Sequence, residues 1–134
     1  LDTSAAGLKK TYRFVYDFAV LGGTGTVTLT ASDGALPNNF VVMNAFIDVI
    51  TAVTAGAGGT GALSTGQGAG ALIAATLVAG APWSTTGVKA TATLLGTVAT
   101  WVKTTAGRSP TFASAVSDVT AGKFNLMIEG FTSA

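Results

Sequence analysis

The side chains that most often carry out catalysis are scarce in this chain. Its 134 residues include no histidine and no cysteine, which excludes Ser-His and Cys-His relays, thiolate nucleophiles and imidazole or thiolate metal sites. Among the six carboxylates, Asp17, Asp48 and Glu129 fall in predicted strands and could in principle form a glycosidase-like pair. No local cluster of aromatic and polar residues supports such a cleft. We therefore expect these carboxylates to be solvated or paired with cations such as Lys123, and we expect no enzyme activity.

The glycine-rich segment Gly56–Gly61 formally matches the dinucleotide-binding pattern G-x-G-x-x-G after a predicted strand. That fingerprint also needs a helix opening at the motif and an acidic residue about 20 positions later. No helix pattern follows, and no acidic residue lies between Asp48 and Asp118. Asp33, in Ser32-Asp33-Gly34, is a turn former and has no second acidic side chain nearby to share a calcium ion. The sequence predicts no cofactor and no metal.

A basic cluster lies near the N-terminus, where Lys9, Lys10 and Arg13 supply three of the seven cations beside Tyr12 and Tyr16. A net charge of +1 gives little affinity for phosphates, so we expect no nucleic-acid partner. The cluster is either a basic edge that docks on an acidic protein surface or a solvated strand start.

The two tryptophans, Trp83 and Trp101, have two interpretations. They belong either to the core or to an interface, where tryptophan is enriched at binding hot spots. Trp83 follows Ala81-Pro82 in a predicted loop and is the better interface candidate of the two. The candidate assembly residues are therefore Lys9, Lys10, Arg13, Trp83 and Trp101.

Charge is sparse over the whole chain and absent from its middle. Charged residues make up 10% of the sequence, against about 25–35% on a typical soluble surface, and none lies between Asp48 and Lys89. This run is interrupted by glycines and contains no stretch near the roughly 20 apolar residues that a membrane-spanning helix needs. We expect no membrane partner. We expect instead that segment Thr51–Val88 is covered by neighbouring subunits or by another protein.

The pattern of residues predicts an all-β chain with a single domain. Threonine, valine, isoleucine and phenylalanine occur in short runs between Gly, Pro, Asn and Asp, which is typical of strands. About eight strands indicate an antiparallel β-sandwich or jelly roll over residues 11–134, after an N-terminal arm at residues 1–10. The predicted strands are Tyr12–Phe18 with its four aromatics on one face, Thr26–Ala31, Phe40–Val53, a short one at Gly61–Ser64, Val88–Leu94, Val98–Thr105, Thr111–Val116 and Lys123–Phe131.

Two segments are less clear than the others. In Phe40–Val53 the odd positions from Val41 to Val49 are all apolar, and the period is closer to two than to 3.6. This favours one long strand, with a bulge as an option, over a helix. The pattern of Ala71–Val78 is equally compatible with one or two helical turns and with a buried strand, and both alternatives stay open.

Four blocks of residues lie in the same order along nearly the whole chain: Tyr12–Val20 with the Gly-rich turn after it, Val41–Thr54, Val102–Arg108 and Val119–Phe124. Together they resemble small virion proteins of tailed bacteriophages. Two positions depart from that pattern. Leu21 stands where an acidic or small residue is expected, and Gly130 where a larger strand residue is usual. None of the blocks is a catalytic motif, so no functional residue is carried over.

The resemblance implies a capsid decoration (cement) protein on the outer surface of the virion. Such a protein binds the phage major capsid protein as a small symmetric homo-oligomer, with a trimer favoured, and stabilises the shell. We expect the arm Leu1–Lys10 to lie on the capsid surface. The alternative is a β-sandwich binding module for a receptor or a carbohydrate, in a head fibre or tail, which would expose aromatics in a shallow groove.

Overall fold

Two antiparallel sheets pack into a sandwich in the computed structural model, which describes residues 9–67, 71–91 and 101–133. The described residues form β1 (Lys10–Asp17), α1 (Phe18–Leu21), β2 (Thr26–Thr28), β3 (Thr30–Ala31), β4 (Phe40–Ala55), β5 (Thr60–Ser64), β6 (Ala71–Leu77), β7 (Gly87–Ala90), β8 (Val102–Lys103), β9 (Thr111–Ala115) and β10 (Val119–Thr132). The large sheet has the order β3-β1-β10-β4, with β7 and β8 both paired to the far side of β4. The small sheet has the order β2-β9-β5-β6.

The predicted antiparallel β-sandwich is confirmed. No helix in the described part of the chain is long and apolar enough to span a membrane.

Aromatic side chains from both sheets fill the space between them. Tyr12, Phe14 and Tyr16 alternate along β1 and are buried, as the period-two pattern predicts. Tyr16 packs with Trp83, Phe112 and Phe124 in a cluster whose contacting ring centroids are 4.8–5.6 Å apart. These rings bring β1, β9, β10 and the loop after β6 into one core.

The first strand ends one residue earlier than its aromatic pattern predicts. The Asp17 side chain accepts a 3.0 Å hydrogen bond from the backbone N–H of Ala19 and caps the short helix α1. Phe18 therefore starts a helical turn, although it still packs against the core. Gly22 ends the helix with φ of 76° and is held by a 2.7 Å hydrogen bond from the Tyr16 hydroxyl to its carbonyl.

The long strand β4 contains a bulge that reverses its inward face. Glu129 pairs with Asn44 but Gly130 pairs with Val42, so Met43 has no partner across the ladder. Phe40 and Val42 are buried before the bulge, and Ala45, Ile47 and Val49 are buried after it. The long strand with a bulge that the sequence favours is therefore confirmed, and one extra residue shifts the alternation so that Val41 and Met43 do not share the inward face with Val49.

The predicted strand Thr26–Ala31 is two strands in different sheets. Strand β2 pairs with β9 in the small sheet, and β3 pairs with β1 in the large sheet. Between them Leu29 is buried, and its N–H donates a 3.0 Å hydrogen bond to the Pro110 carbonyl. The chain crosses the edge of the sandwich at Leu29, which a single alternating pattern does not reveal.

The remaining predicted elements are placed as follows. Ala71–Leu77 is a strand, which decides the open choice at Ala71–Val78 against a helix. Strands β5 and β9 match their predicted segments to within one residue, and β10 begins four residues before its predicted start at Lys123. The predicted strands Val88–Leu94 and Val98–Thr105 are described only in part, because 92–100 lie outside the described residues. Their described parts overlap β7 and β8, and β8 ends at Lys103, two residues before the predicted end. Residues 1–8 of the predicted arm also lie outside the described residues, whereas Lys9 and Lys10 are exposed.

Candidate assembly surfaces

The carboxylates singled out in the sequence do not form a catalytic pair. Asp17 caps α1 and lies 4.0 Å from the Lys123 ammonium, so one of the expected ion pairs is present. Glu129 lies 3.4 Å from the Lys9 ammonium. Asp48 and Glu129 are separated by four residues of the β10 ladder, about 13 Å along the strands. The residues that the structure describes also contain no group of three or more metal-ligating side chains.

The glycine-rich segment connects the two sheets and does not open a helix. It leaves β4 in the large sheet and enters β5 in the small sheet, with Gly58 at φ of 74°. A Cβ atom at Gly59 would lie 2.7 Å from the Ala55 Cβ and 3.2 Å from the Ser117 carbonyl oxygen. Glycines in this crossover loop therefore allow close backbone packing, and the segment does not form a nucleotide-binding turn.

Four of the seven cations gather where β1 begins and β10 ends. We call this set the basic end; its members are Lys9, Lys10, Lys103 and Arg108. Arg13 lies further along β1, opposite Met127, and its guanidinium is 3.5 Å from Asn125 Oδ1. Within the described part of the chain, Lys9 is the one member within 4 Å of a carboxylate. The Lys10 ammonium lies 4.7 Å from the centre of the Tyr12 ring. Among the described residues Glu129 is the carboxylate beside these four cations, so cations outnumber carboxylates here.

The pairing register explains how distant parts of the sequence meet at the basic end. Phe131 on β10 pairs with Val41 on β4, and Val41 pairs with Lys103 on β8. Their neighbours Gly130, Val42 and Thr104 are buried, so this row lies on the outer face of the large sheet. The sequence interpretation missed Lys103 and Phe131 as interface candidates because the pairing of β8 with β4 is not visible in the sequence.

Arg108 is held at the basic end by neutral partners. Its Nε donates a 2.9 Å hydrogen bond to Gln67 Oε1, which also accepts the backbone N–H of Thr105 at 3.1 Å. The Leu36 and Arg108 backbones form an isolated bridge, with N–H to carbonyl distances of 2.8 and 2.9 Å. The guanidinium therefore has a fixed position while its charge is not neutralised by any of these contacts.

The two tryptophans have different environments. Trp83 has no exposed surface and packs on Phe112 and Phe124, so its side chain belongs to the core. This corrects the preference for Trp83 as the interface anchor, because a fully buried ring has no surface to offer a partner. Trp101 is half-buried and lies 6.2 Å from the Phe131 ring in an edge-to-face arrangement. Trp101 thus extends the outer row of the basic end.

The opposite end of the sandwich carries an uncharged groove. Its volume is about 260 Å³. The lining residues are Val53–Gly59, Leu77, Val78, Ala79 and Ser84. Leu77 is 55% exposed, and all of the lining belongs to the charge-free segment Thr51–Val88. Among these residues there is no aromatic side chain, so the groove lacks the flat rings on which sugars usually stack.

The outer face of the small sheet is also uncharged and is built from small side chains. These are Thr26, Thr28, Thr60, Ala62, Ser64, Thr111, Ala113 and Ala115. Their inward neighbours Gly61, Leu63 and Phe112 are buried. The face is therefore flat and has no charge that would oppose close packing against another protein surface.

This chain is similar to known proteins in its fold but not in its sequence. No protein-family model and no curated protein matches this chain. A chain in the acidic stable capsid structure of Helicobacter pylori bacteriophage KHP30 has a TM-score of 0.59 at 12% identity, over 96% of this chain and 91% of that chain. A chain in the cyanophage Pam1 capsid asymmetric unit has a TM-score of 0.59 at 19% identity, over 95% of this chain and 86% of that chain. The sandwich as a whole is therefore similar to chains found in two bacteriophage capsid structures, which confirms the resemblance to phage virion proteins at the level of the fold.

Proposed function

We propose that this chain is a structural component of a bacteriophage capsid. It binds the outside of the major capsid protein shell as a symmetric homo-oligomer, with a trimer favoured, and stabilises the shell without catalysis. The observation that carries the proposal is the fold, which is similar to chains of two phage capsids over at least 86% of each chain. The scattered carboxylates and the uncharged outer surfaces support the same role. A modest contact repeated by symmetry gains strength because each bound copy holds its neighbours near their sites.

The subunit contact is proposed to lie in the charge-free segment Thr51–Val88. The groove is lined by this segment, and its exposed apolar side chains include Leu77 at 55% and Val88 at 68%. Exposed apolar area of this kind is stabilised by burial against a neighbour. The carbohydrate-binding alternative gains no support from the groove, because none of its described lining residues is aromatic.

The proposal is tested by measuring solution mass with light scattering, alone and with particles that lack the protein. We expect a discrete trimer that binds the particles saturably and raises their melting temperature. A monomer with no affinity for the particles contradicts the proposal.

A charge introduced at the groove tests the proposed subunit contact. Leu77→Asp should lower the solution mass to that of a monomer without loss of the folded state, because an aspartate cannot be buried without a partner. Val20→Asp is the matched control, since Val20 is 73% exposed on α1 and lies outside segment Thr51–Val88. Equal hydrogen-exchange protection of residues 51–88 in the free and assembled protein contradicts this contact.

A further inference from the structure

We propose that the basic end docks on an acidic patch of the capsid shell. The identity of the shell as partner rests on the function proposed above. The chemistry of the docking surface, cations beside an apolar row, rests on the contacts of this chain alone.

Charge is unevenly distributed along the sandwich. The basic end carries four cations, and Glu129 is the described carboxylate beside them. The rest of the described chain carries Arg13, Lys89 and Lys123 against the four carboxylates Asp17, Asp33, Asp48 and Asp118. Among the described residues, which do not include Asp2, one end is therefore net positive and the remainder is slightly negative. Such a separation favours a partner of opposite charge at one end.

The cations at the basic end lie beside an apolar row on the outer face of the large sheet. Lys103 belongs to this row, whereas Lys10 lies at the start of β1, pairs with the buried Gly130 and shares the inner face with Tyr12; three strand intervals place the backbones of Lys10 and β8 about 14 Å apart. The apolar members of the row are Phe131 and Val41, and Trp101 packs edge-on against Phe131 at 6.2 Å. All three of these apolar side chains are half-buried. An apolar row that contains aromatic side chains and has charged residues beside it is a usual arrangement of a protein–protein contact.

The lysines at this end are also available to a partner. Lys10 and Lys103 are exposed, and neither has a carboxylate within 4 Å among the residues that the structure describes. By contrast, Lys123 lies 4.0 Å from Asp17, and Lys89 donates to Thr85 Oγ1 at 2.6 Å and to the Thr85 carbonyl at 3.1 Å. A protein partner is favoured over nucleic acid because the row beside Lys103 is apolar and the basic end has few cations to neutralise successive phosphates.

Two double variants test the proposal. Lys10→Gln/Lys103→Gln removes two charges at the basic end, and Lys89→Gln/Lys123→Gln removes two charges elsewhere, so both variants have the same net charge. The first probe is poly-L-glutamate, titrated by intrinsic tryptophan fluorescence at low salt. The second probe is particles that lack the protein. We expect the basic-end variant to weaken binding to both probes about tenfold at low salt, and the control variant less than about twofold. Binding of the wild-type protein should also weaken as salt rises.

The two probes separate failure of this proposal from failure of the proposed function. Loss of poly-L-glutamate binding in the basic-end variant supports the docking chemistry, even if the wild-type protein ignores the particles and the capsid function is refuted. Equal effects of the two double variants on both probes would show that net charge alone matters and would overturn the proposal. Tighter binding of the wild-type protein to a short DNA duplex than to poly-L-glutamate would assign the basic end to nucleic acid and would also overturn it.

Discussion

Removing the hydroxyl of Tyr16 should change the pH dependence of stability in alkaline solution. The Tyr16 ring is fully buried, and its hydroxyl donates a 2.7 Å hydrogen bond to the Gly22 carbonyl. Burial, with a smaller contribution from the negative charge of Asp17, raises the pKa of Tyr16 from 10.0 to about 12. The proton is therefore held more tightly in the folded protein than in the unfolded chain.

The sign and size of the effect follow from this difference. Between pH 10 and 12 the unfolded chain loses the tyrosine proton while the folded protein keeps it, so the free energy of unfolding falls as pH rises. A rise in the pKa from 10.0 to about 12 contributes about 2–3 kcal/mol, present below pH 10 and lost by pH 12. Tyr16→Phe has no such proton, and it loses the hydrogen bond to Gly22, which costs about 1 kcal/mol at neutral pH.

Urea unfolding of both proteins from pH 7 to 12, at equal protein concentration, measures the two effects together. We expect the wild-type protein to be about 1 kcal/mol more stable at pH 7 and less stable than Tyr16→Phe at pH 12. The difference between the two proteins cancels the titration of every other group. A gap in stability that stays constant from pH 9 to pH 12 would refute the reasoning.

Three further substitutions test the packing and the backbone. Gly130→Ala should lower the free energy of unfolding by about 1–3 kcal/mol, because its Cβ would contact the Val41 carbonyl oxygen and approach ring atoms of Phe40 at 2.9 Å; an unchanged urea midpoint would contradict this. Thr104→Val should cost about 2 kcal/mol, since the buried Thr104 Oγ1 accepts the Phe40 N–H at 2.9 Å and donates to the Pro37 carbonyl at 2.6 Å, and calorimetry should show the lower melting temperature. Val116→Asn should raise stability by about 0.5–1 kcal/mol, because Val116 has φ of 69° and is 81% exposed; a lower urea midpoint would refute the inferred backbone strain.

The sequence predicts the strands well because their alternation is a local property. Tyr12, Phe14 and Tyr16 are buried on β1, and Phe124, Leu126 and Ile128 are buried on β10, as the period of two requires. Composition also predicts the all-β class, since Thr and Val runs separated by glycine have no helical period. These inferences need no knowledge of which strands pair.

What the sequence does not reveal depends on contacts between distant residues. In the sequence Leu29 resembles one more position in a strand. The chain changes sheets there because β2 pairs with β9 and β3 pairs with β1. Trp83 looks like an exposed loop residue, yet the loop folds back so that its ring fills the space beside Phe112 and Phe124. The basic end also depends on contacts between distant residues, since the intervening strands β10 and β4 bring Lys10 and Lys103 to the same end of the large sheet.

Gly130 connects this local chemistry to the proposed function. The resemblance to phage virion proteins leads one to expect a larger residue at this position, but a side chain there would meet the Val41 carbonyl and the Phe40 ring. The register shift lies between Glu129 and Gly130, opposite the unpaired Met43. Because the bulge turns Val42 inward, it also turns Val41 outward, into one row with Phe131 and Lys103. A glycine that looks like a departure in the sequence is therefore the residue that allows the outer row of the basic end to form.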